Sequence, residues 1–388
     1  MSDLLPAHAI GIGMERLEGA AKVRGLAPYA YEQPVENPVY LHPVQATIAR
    51  GRVLSIDTSA AQALDGVLAV LTHLNAPRLA STDDAELAVL QSAEVGFRGQ
   101  FVAAVLAETP EIARQAAALV KVRYDQDPHD AAFGADHPGL YAPETVNAGF
   151  ATDTSQGDVD AALAEAAVVL EQTHTTPPEH NNPMETHTTV ASWDGDSLTL
   201  HDSTQGAHTV RDTLAPVLGL EPERIRVVSP HVGGGFGSKG TPHAHVVLAA
   251  LAAQCSNGRP VKVALTRQQM FSLAGYRTPT IQRVRLGADS DGRLTAIAVD
   301  VIEQTSKIKE FAEQTALPAR MMYAAPNRRT THRLAALDVP VPSWMRAPGE
   351  CPGMFALEVA MDELAEACGL DPIELRIRNE PDVDPESG

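Results

Sequence analysis

Five glycines and one phenylalanine lie within ten residues, HVGGGFGSKG, at positions 231–240. Glycine loses more conformational freedom on folding than other residues, so such a cluster is typical of backbone that needs unusual dihedral angles or approaches a ligand closely. A predicted strand, RIRVVS, precedes the cluster, and a predicted helix, TPHAHVVLAALAAQCSNG, follows it. The glycines therefore indicate a strand-to-helix connection, either a tight turn or a ligand cradle.

Two nucleotide-binding interpretations of this loop meet obstacles. Gly235, Gly237 and Gly240 fit GxGxxG, but a dinucleotide site also needs an acidic residue about 20 positions on, at the end of the next strand. The next predicted strand, PVKVALT, contains none. A Walker A loop has glycine before its lysine, whereas Lys239 follows Ser238. Phe236 favours a ligand over an empty turn, because a ring between glycines is placed to contact a flat or polar group.

Two other segments carry side chains suited to an oxygen-rich or negatively charged ligand. Gln205 directly follows a predicted strand, where its amide either caps the strand or bonds a ligand. Arg346 stands in a Pro- and Gly-rich loop before a helix predicted to start near Pro352. An arginine beside a helix N-terminus suits an anion, and a solvated surface charge is the alternative.

The length of the chain limits its number of domains, and its net charge limits the classes of partner that it can bind. A chain of 388 residues predicts two or three domains, and a net charge of −19 leaves no basic stripe for nucleic acid. We expect no nucleic-acid partner and no membrane, because the start lacks a signal pattern and no apolar run approaches the roughly 20 residues of a span. The predicted location is the cytoplasm, or the periplasm only if a partner carries the chain there.

The cysteines exclude two kinds of metal site on this chain alone. Cys255, Cys351 and Cys368 show no CxxC spacing, so neither an iron–sulfur cluster nor a structural zinc is expected. Any electron-transfer cluster would lie on another chain. His243 and His245 lack metal-binding helix spacing and are interpreted as ordinary polar residues.

The pattern along the chain predicts an α+β protein with two domains. An α/β domain of short strands and an alanine-rich helix, with Thr109 as N-cap, covers residues 1–135. Residues 136–157 are predicted to form a linker. The second domain, residues 158–388, is predicted to contain capping boxes at TRQQ and DPIE and a hairpin at GADSDGRL.

Three ordered motifs carry a family resemblance: PMETHTTVASWDGDSLTLHDSTQ, VGGGFGSKG and RAPGECPGMFALEVAMDELAEACGLDPIELRIRN. Together they resemble the molybdenum-cofactor-binding large subunit of the xanthine oxidase family, with the closest likeness to bacterial aldehyde oxidoreductases. The segments AKVRGLAPYAYE and GFRGQFVAAVLAETPEIARQAA resemble its amino-terminal hammerhead domain. The resemblance implies a hammerhead domain followed by the first of two cofactor-binding domains, which is the amino-terminal half of that subunit.

The resemblance also implies a cofactor site with a defined set of residues. The cofactor is molybdopterin, as such or as its cytosine dinucleotide, and no side chain of this chain ligates the metal. Cys351 is expected in the wall of the substrate pocket and, because its loop differs from that of carbon monoxide dehydrogenases, not as a copper ligand. The expected cofactor-binding residues are Gln205, Gly234, Gly235, Phe236, Gly237, Arg346, Ala347 and Gly349.

The implied reaction is oxidation of aldehydes, or related aromatic carbonyl and heterocyclic substrates, to acids with water as the oxygen source. Electrons leave through [2Fe-2S] and FAD on partner subunits. Purine hydroxylases of the family carry a glutamate at the position of Gly240, which argues against xanthine.

The sequence departs from the family in one respect. The family's catalytic glutamate lies in a GxGE-like motif near the end of the large subunit, and no match is present here, so no catalytic residue is identifiable. We expect either a second chain that completes the molybdenum site or a truncated product. A non-catalytic fragment or assembly piece with the family fold is the alternative.

Overall fold

The computed structural model describes residue 11 and residues 13–388. The export-signal prediction rests in part on residues 1–10 and 12, which lie outside the described residues. The strands are β1 Val39–Gln45, β2 Gly51–Asp57, β3 Val67–Thr72, β4 Glu94–Val95, β5 Phe101–Ala107, β6 Lys121–Gln126, β7 Leu140–Tyr141, β8 Thr145–Val146, β9 Phe150–Ala151, β10 Thr154–Gln156, β11 Val168–Thr176, β12 Thr188–Asp194, β13 Ser197–Asp202, β14 Ile225–Val228, β15 Val261–Ala264, β16 Thr280–Ala288, β17 Leu294–Ser306 and β18 Asn327–Leu337. The α-helices are α1 Gly19–Val23, α2 Ser59–Gln62, α3 Pro110–Leu119, α4 Val159–Glu165, α5 Ala207–Leu218, α6 Ala244–Gln254, α7 Arg267–Leu273, α8 Pro318–Met321, α9 Glu350–Cys368 and α10 Pro372–Arg378.

A seven-stranded mixed sheet forms the centre of the fold, in the order β14-β13-β12-β15-β1-β5-β3. Strand β1 pairs in parallel with β15, so strands from residues 39–107 and from residues 188–264 share one sheet. Helix α6 is apolar all round and buried, which is typical of a helix enclosed by the core. Its residues and those of α5 pack against this sheet in the largest core cluster.

A second sheet supports the carboxyl-terminal part of the described chain. Six strands form it, in the order β10-β18-β17-β16-β11, with β7 added to β18. The long helix α9 packs on β11 and β16 through residues such as Leu357, Met361 and Leu364, all fully buried. The start of α9 is thereby fixed relative to the sheet, and the loop before it inherits that position.

Sequence reasoning predicted the fold class correctly. The α+β architecture, a hammerhead domain followed by a cofactor-binding domain, is confirmed. Thr109 caps α3, and Thr266 forms a capping box with Gln269. Asp371 caps α10 through two backbone amides, but the capping box predicted at DPIE is not formed, because Glu374 instead accepts from Arg378 Nε at 2.9 Å. GADSDGRL joins the antiparallel strands β16 and β17. Within the described part of the chain, no helix has the length and apolar composition needed to cross a bilayer.

The predicted domain limits at residues 135 and 158 stay a prediction. The stretch between them, residues 136–157, contains four short strands and a 3₁₀ helix, Asn147–Gly149. Strand β7 in this stretch pairs with β18, and Asn147 accepts a hydrogen bond from Trp344 Nε1 at 3.0 Å. The stretch is therefore attached to the second sheet and to the loop before α9.

Truncation of the central core should destabilise the whole fold. Leu248 on α6 has no exposed surface, so Leu248→Ala removes buried methyl groups and leaves a cavity. We expect the free energy of unfolding in urea to fall by about 2–5 kcal/mol. Leu74→Ala is the control, because Leu74 is 78 % exposed and its truncation should change stability little. Equal effects of the two substitutions would contradict this assignment of the core.

Candidate functional site

The glycine cluster forms a loop between β14 and α6 whose backbone demands glycine. Gly234 and Gly237 have φ of +91° and +106°, values that side chains other than glycine rarely adopt. A Cβ on Gly235 would stand 2.2 Å from Gln205 Oε1, and a Cβ on Gly237 would stand 2.5 Å from the carbonyl oxygen of Trp344. The cluster needs glycine because Gln205 and Trp344 both approach its backbone closely.

Gln205 lies against this loop. Its side-chain oxygen accepts a hydrogen bond from Gly237 N at 3.0 Å, and its own backbone N donates to the carbonyl of Lys239 at 2.8 Å. Because this oxygen is bonded to the loop, the side-chain NH₂ group of Gln205 remains available to donate to another group. Gln205 acts as more than a strand cap, since it is bonded to the glycine loop at two points.

Phe236 stands outward from the loop. Its φ is +56°, a value rare for a bulky residue, and its side chain is 41 % exposed. Among the described residues, the backbone N–H groups of Gly234, Gly235 and Phe236 donate to no protein acceptor. Three successive free amides beside an exposed ring form a set of donors that a ligand oxygen would satisfy.

The loop before α9 meets the glycine loop at Phe236. Arg346 N donates to the carbonyl of Phe236 at 2.9 Å, and the Arg346 guanidinium carbon lies 5.9 Å from the centre of the Phe236 ring. Ala347 and Gly349 have positive φ values of 54° and 79°. A Cβ on Gly349 would come within 2.6 Å of the backbone of Gln314, so this turn too is packed against protein.

A buried arginine holds that second loop. Arg277 is 3 % exposed, and its Nη2 donates to the carbonyl oxygens of Met345 at 2.6 Å, Arg346 and Ala347 at 3.3 Å. Its Nη1 donates to Glu179 Oε2 at 3.1 Å. One guanidinium therefore fixes three consecutive carbonyls around a positive-φ turn.

An asparagine joins the two loops. Asn181 is 8 % exposed, and its Nδ2 donates to the carbonyl of Phe236 at 2.8 Å and to the carbonyl of Trp344 at 3.1 Å. The Phe236 carbonyl therefore accepts two hydrogen bonds, one from each neighbouring segment. The position of Phe236 depends on both loops at once.

Two buried carboxyl groups lie behind the second loop. Glu313 Oε2 accepts from Gly349 N at 3.0 Å and stands 3.8 Å from Arg277 Nε. Glu303 Oε2 accepts from Glu313 N at 3.1 Å. Burial raises the pKa of both carboxyls, most for Glu303, whose pKa of about 8 also reflects the nearby charge of Glu313.

The remaining predicted residues lie around this junction. Cys351 is an exposed free thiol in the first turn of α9, and its backbone N donates to the carbonyl of Ala347 at 3.0 Å. Gly234 lies beside the Phe236 ring, since a Cβ there would stand 3.1 Å from a ring atom, and with Gly233 it also lines an open cleft of about 680 Å³ beside Tyr29 and Tyr31. The structure thus brings Gly234, Gln205, Phe236 and the loop of Arg346 together.

Comparison with known families and proteins identifies the fold. Residues 141–380 match the molybdopterin cofactor-binding domain, and residues 24–128 match the α/β hammerhead domain of aldehyde oxidase and xanthine dehydrogenase. The chain belongs to the molybdopterin cofactor-binding domain family. The resemblance predicted from the three motifs is confirmed.

Relatives of this molybdopterin-binding chain differ in length. The aldehyde oxidoreductase molybdenum-binding subunit PaoC of Escherichia coli K12 is 40 % identical over 97 % of this chain and 51 % of its own length. The nicotinate dehydrogenase large molybdopterin subunit of Eubacterium barkeri is 27 % identical, over 96 % of this chain and 89 % of its own. The chain thus spans about half the length of PaoC.

A solved structure shows the same fold. The aldehyde oxidoreductase of Desulfovibrio gigas superposes with a TM-score of 0.80 at 30 % identity, over 95 % of this chain and 43 % of the other. The matched region includes both sheets.

The residues present fit a molybdopterin cofactor. Its metal centre carries oxygen and sulfur atoms with negative charge, which call for donors and close backbone rather than for protein ligands. The free amides of the glycine loop at 234–236, the NH₂ group of exposed Gln205 and the guanidinium of exposed Arg346 are such donors, and this set is called the donor face below. No cluster of three His, Cys, Asp or Glu side chains able to hold a metal occurs among residue 11 and residues 13–388.

The sequence reasoning missed the residues that support this site. Arg277, Asn181 and Glu313 act on backbone atoms that lie 36 to 163 positions away in the sequence. One signal was available: NN at 181–182 and GYR at 275–277 are polar or glycine-containing stretches in the loops between β11 and β12 and between α7 and β16. Side chains in such places often bond loop carbonyls.

The buried carboxyl pair predicts a pH dependence of stability. The folded chain keeps a proton on Glu303 that the unfolded chain releases, so stability falls as pH rises between about 4.5 and 8. Glu303→Gln mimics the protonated form and should make this fall shallower by up to about 1.4 kcal/mol per pH unit in urea titrations. Glu165→Gln at the exposed end of α4 is the control and should keep the wild-type slope. Identical slopes in all three proteins would show that Glu303 is ionised in the fold.

Proposed function

We propose that this chain forms part of the active site of a molybdenum hydroxylase that oxidises aldehydes, or related aromatic carbonyl and heterocyclic compounds, to acids with water as the oxygen source. The observation that carries the proposal is the junction at Phe236. There, the segments of Gln205, the glycine loop and Arg346 meet, and each carries hydrogen-bond donors that bond no protein acceptor among the described residues. A simple turn would not need these segments to meet.

Gln205 and the glycine loop act as the donor side of the site. With its oxygen bonded to Gly237 N, Gln205 presents its NH₂ group in a fixed direction. The free amides of Gly235 and Phe236 add backbone donors that need no reorganisation during reaction. When bound, the molybdenum cofactor supplies a centre that accepts two electrons from the substrate.

Arg346 and Phe236 form the opposite boundary of the site. The guanidinium adds positive charge beside an anionic group, and its 5.9 Å distance from the Phe236 ring supports a stacked arrangement. The ring itself excludes water from one side of the donors. Ala347, Gly349 and Cys351 then form the wall that leads into α9.

None of these residues is proposed as the proton acceptor of the reaction. Two carboxyl groups beside the second loop are engaged: Glu313 accepts from Gly349 N, and Glu350 accepts from Gln314 Nε2 at 3.1 Å. We assign the general base to a segment that completes the molybdenum site. The electrons pass to an iron–sulfur subunit with [2Fe-2S] and an FAD subunit, consistent with the name "subunit" of PaoC.

The substrate class rests on two supports. PaoC, 40 % identical, is named an aldehyde oxidoreductase. At the position where a glutamate is expected in purine hydroxylases, a Cβ on Gly240 would already stand 2.9 Å from the Trp344 ring. A glutamate side chain has no room there, so a purine would lose that contact.

An isotope experiment tests the reaction. The complex that forms around this chain, isolated from its own cells, is given aromatic and aliphatic aldehydes with an artificial electron acceptor in H₂¹⁸O. We expect the acid product to contain one ¹⁸O atom in excess of that in control aldehyde equilibrated with the same water, and xanthine to remain unchanged. A complex that retains molybdopterin yet oxidises no aldehyde would overturn the proposal and support a non-catalytic role.

Removal of the Phe236 ring should reduce turnover without unfolding the protein. The ring is 41 % exposed, so Phe236→Ala costs little packing, but it opens the donor face to water. We expect aldehyde turnover to fall about tenfold to a hundredfold while the melting temperature of the complex stays within a few degrees of wild type.

Phe150→Ala is the matched control for this substitution. Phe150 on β9 has a similar exposure, 37 %, and takes no part in the junction. Its truncation should leave turnover unchanged. If Phe236→Ala and Phe150→Ala had the same turnover, Phe236 would not belong to the site.

A further inference from the structure

A buried ion pair lies directly behind the glycine loop. Lys239, the ninth residue of the cluster, has a side chain with no exposed surface. Its Nζ donates to Glu185 Oε2 at 3.0 Å and to the carbonyl oxygen of Glu185 at 2.9 Å. The pair is not part of the donor face, and no step of the proposed reaction uses it.

The carboxylate of Glu185 joins three segments at one atom. Besides Lys239 Nζ, its Oε2 accepts from Ser203 Oγ at 2.7 Å and from Gly233 N at 2.7 Å. Ser203 lies two residues before Gln205, and Gly233 and Lys239 lie near the two ends of the glycine loop. One oxygen atom therefore fixes both ends of the loop and the segment that carries Gln205.

The backbone of the loop end receives further hydrogen bonds. The carbonyl of Lys239 accepts from Gln205 N at 2.8 Å and from Thr204 Oγ1 at 3.1 Å. The carbonyl of Ser238 lies 2.8 Å from His243 Nε2 and 3.2 Å from His187 Nε2. These hydrogen bonds fix the backbone of Ser238 and Lys239 at the carboxyl-terminal end of the loop.

Because two charges must be buried to form it, this ion pair adds little to the overall stability of the fold. Burial lowers the pKa of Lys239, and the negative charge of Glu185 offsets that effect. Replacement of a buried ion pair by uncharged residues of similar size is often neutral for stability, whereas removal of one partner is strongly destabilising. A role in holding the loop geometry accounts for the pair better than a role in overall stability.

We propose that Lys239 is a positioning residue: its ion pair with Glu185 sets the direction of the loop amides and of Gln205. The inference rests on the proposed function for its consequence, tighter cofactor binding, but its structural part stands on the contacts alone. Without the pair, the loop should keep its fold and lose its fixed amide directions.

The test uses the full chain without cofactor. In the double variant Glu185→Gln, Lys239→Met, neither charge is left unpaired, and the new amide oxygen still accepts from Gly233 N. We expect a melting temperature close to wild type but hydrogen exchange at least tenfold faster in peptides that span residues 231–240. Wild-type exchange in those peptides, in a stably folded double variant, would overturn the proposal.

Ser203→Ala provides a second variant in case the double variant does not fold. It removes one of the three donors to Glu185 Oε2 and keeps both charges. We expect a smaller acceleration, two- to fivefold, in the same peptides, and no acceleration would count against the proposal. Lys307→Met is the matched control, because Lys307 also pairs with a buried carboxylate, Asp338, at 2.9 Å, and its loss should leave residues 231–240 unaffected.

Cofactor retention separates this proposal from the proposed function. Wild-type complex and double variant are isolated and their molybdopterin content is compared after dialysis. Faster loop exchange with at least tenfold lower molybdopterin content supports both proposals. Faster exchange with wild-type content removes the link between Lys239 and the cofactor, whereas a wild type that never contains molybdopterin removes the proposed function and leaves the exchange result standing.

Discussion

The guanidinium of Arg277 is the contact on which the candidate site depends. Three consecutive carbonyls converge on its Nη2, and carbonyl oxygens in such an array repel one another unless a cation lies between them. Ala347 adopts its positive φ within this array. Because Arg277 is buried and also bonded to Glu179, its own position is fixed, and the loop before α9 takes its shape from it.

The glycine loop is placed by that same loop and by the network behind it. Phe236 is bonded through its carbonyl to Arg346 N in front and to Asn181 at the side. From the back, Glu185 and Lys239 hold both ends of the cluster. Donors without a protein partner among the described residues remain here: the free amides, the NH₂ group of Gln205 and a guanidinium. A chain with a net charge of −19 thus presents a local face suited to an anionic group.

The sequence predicts those residues of the site that stand in an unusual local sequence pattern. Glycines with Phe236 between them, Gln205 after a strand and Arg346 before a helix each stand out within a few residues. The contacts of Arg277, Asn181 and Glu185 do not, because their partners lie between 18 and 163 positions away and meet them only in the folded chain. The same reason explains the central sheet: Val39 pairs with Val261, a contact that no local pattern indicates.

The most direct measurement is the molybdenum and pterin content of this chain, isolated from its own cells by a mild tag together with the chains that co-purify with it. The account predicts about one molybdenum and one pterin per chain, in a complex that contains iron–sulfur and FAD subunits, with loss of both in Gln205→Ala. A complex free of molybdenum and pterin, from cells whose other molybdenum enzymes are loaded, would contradict it.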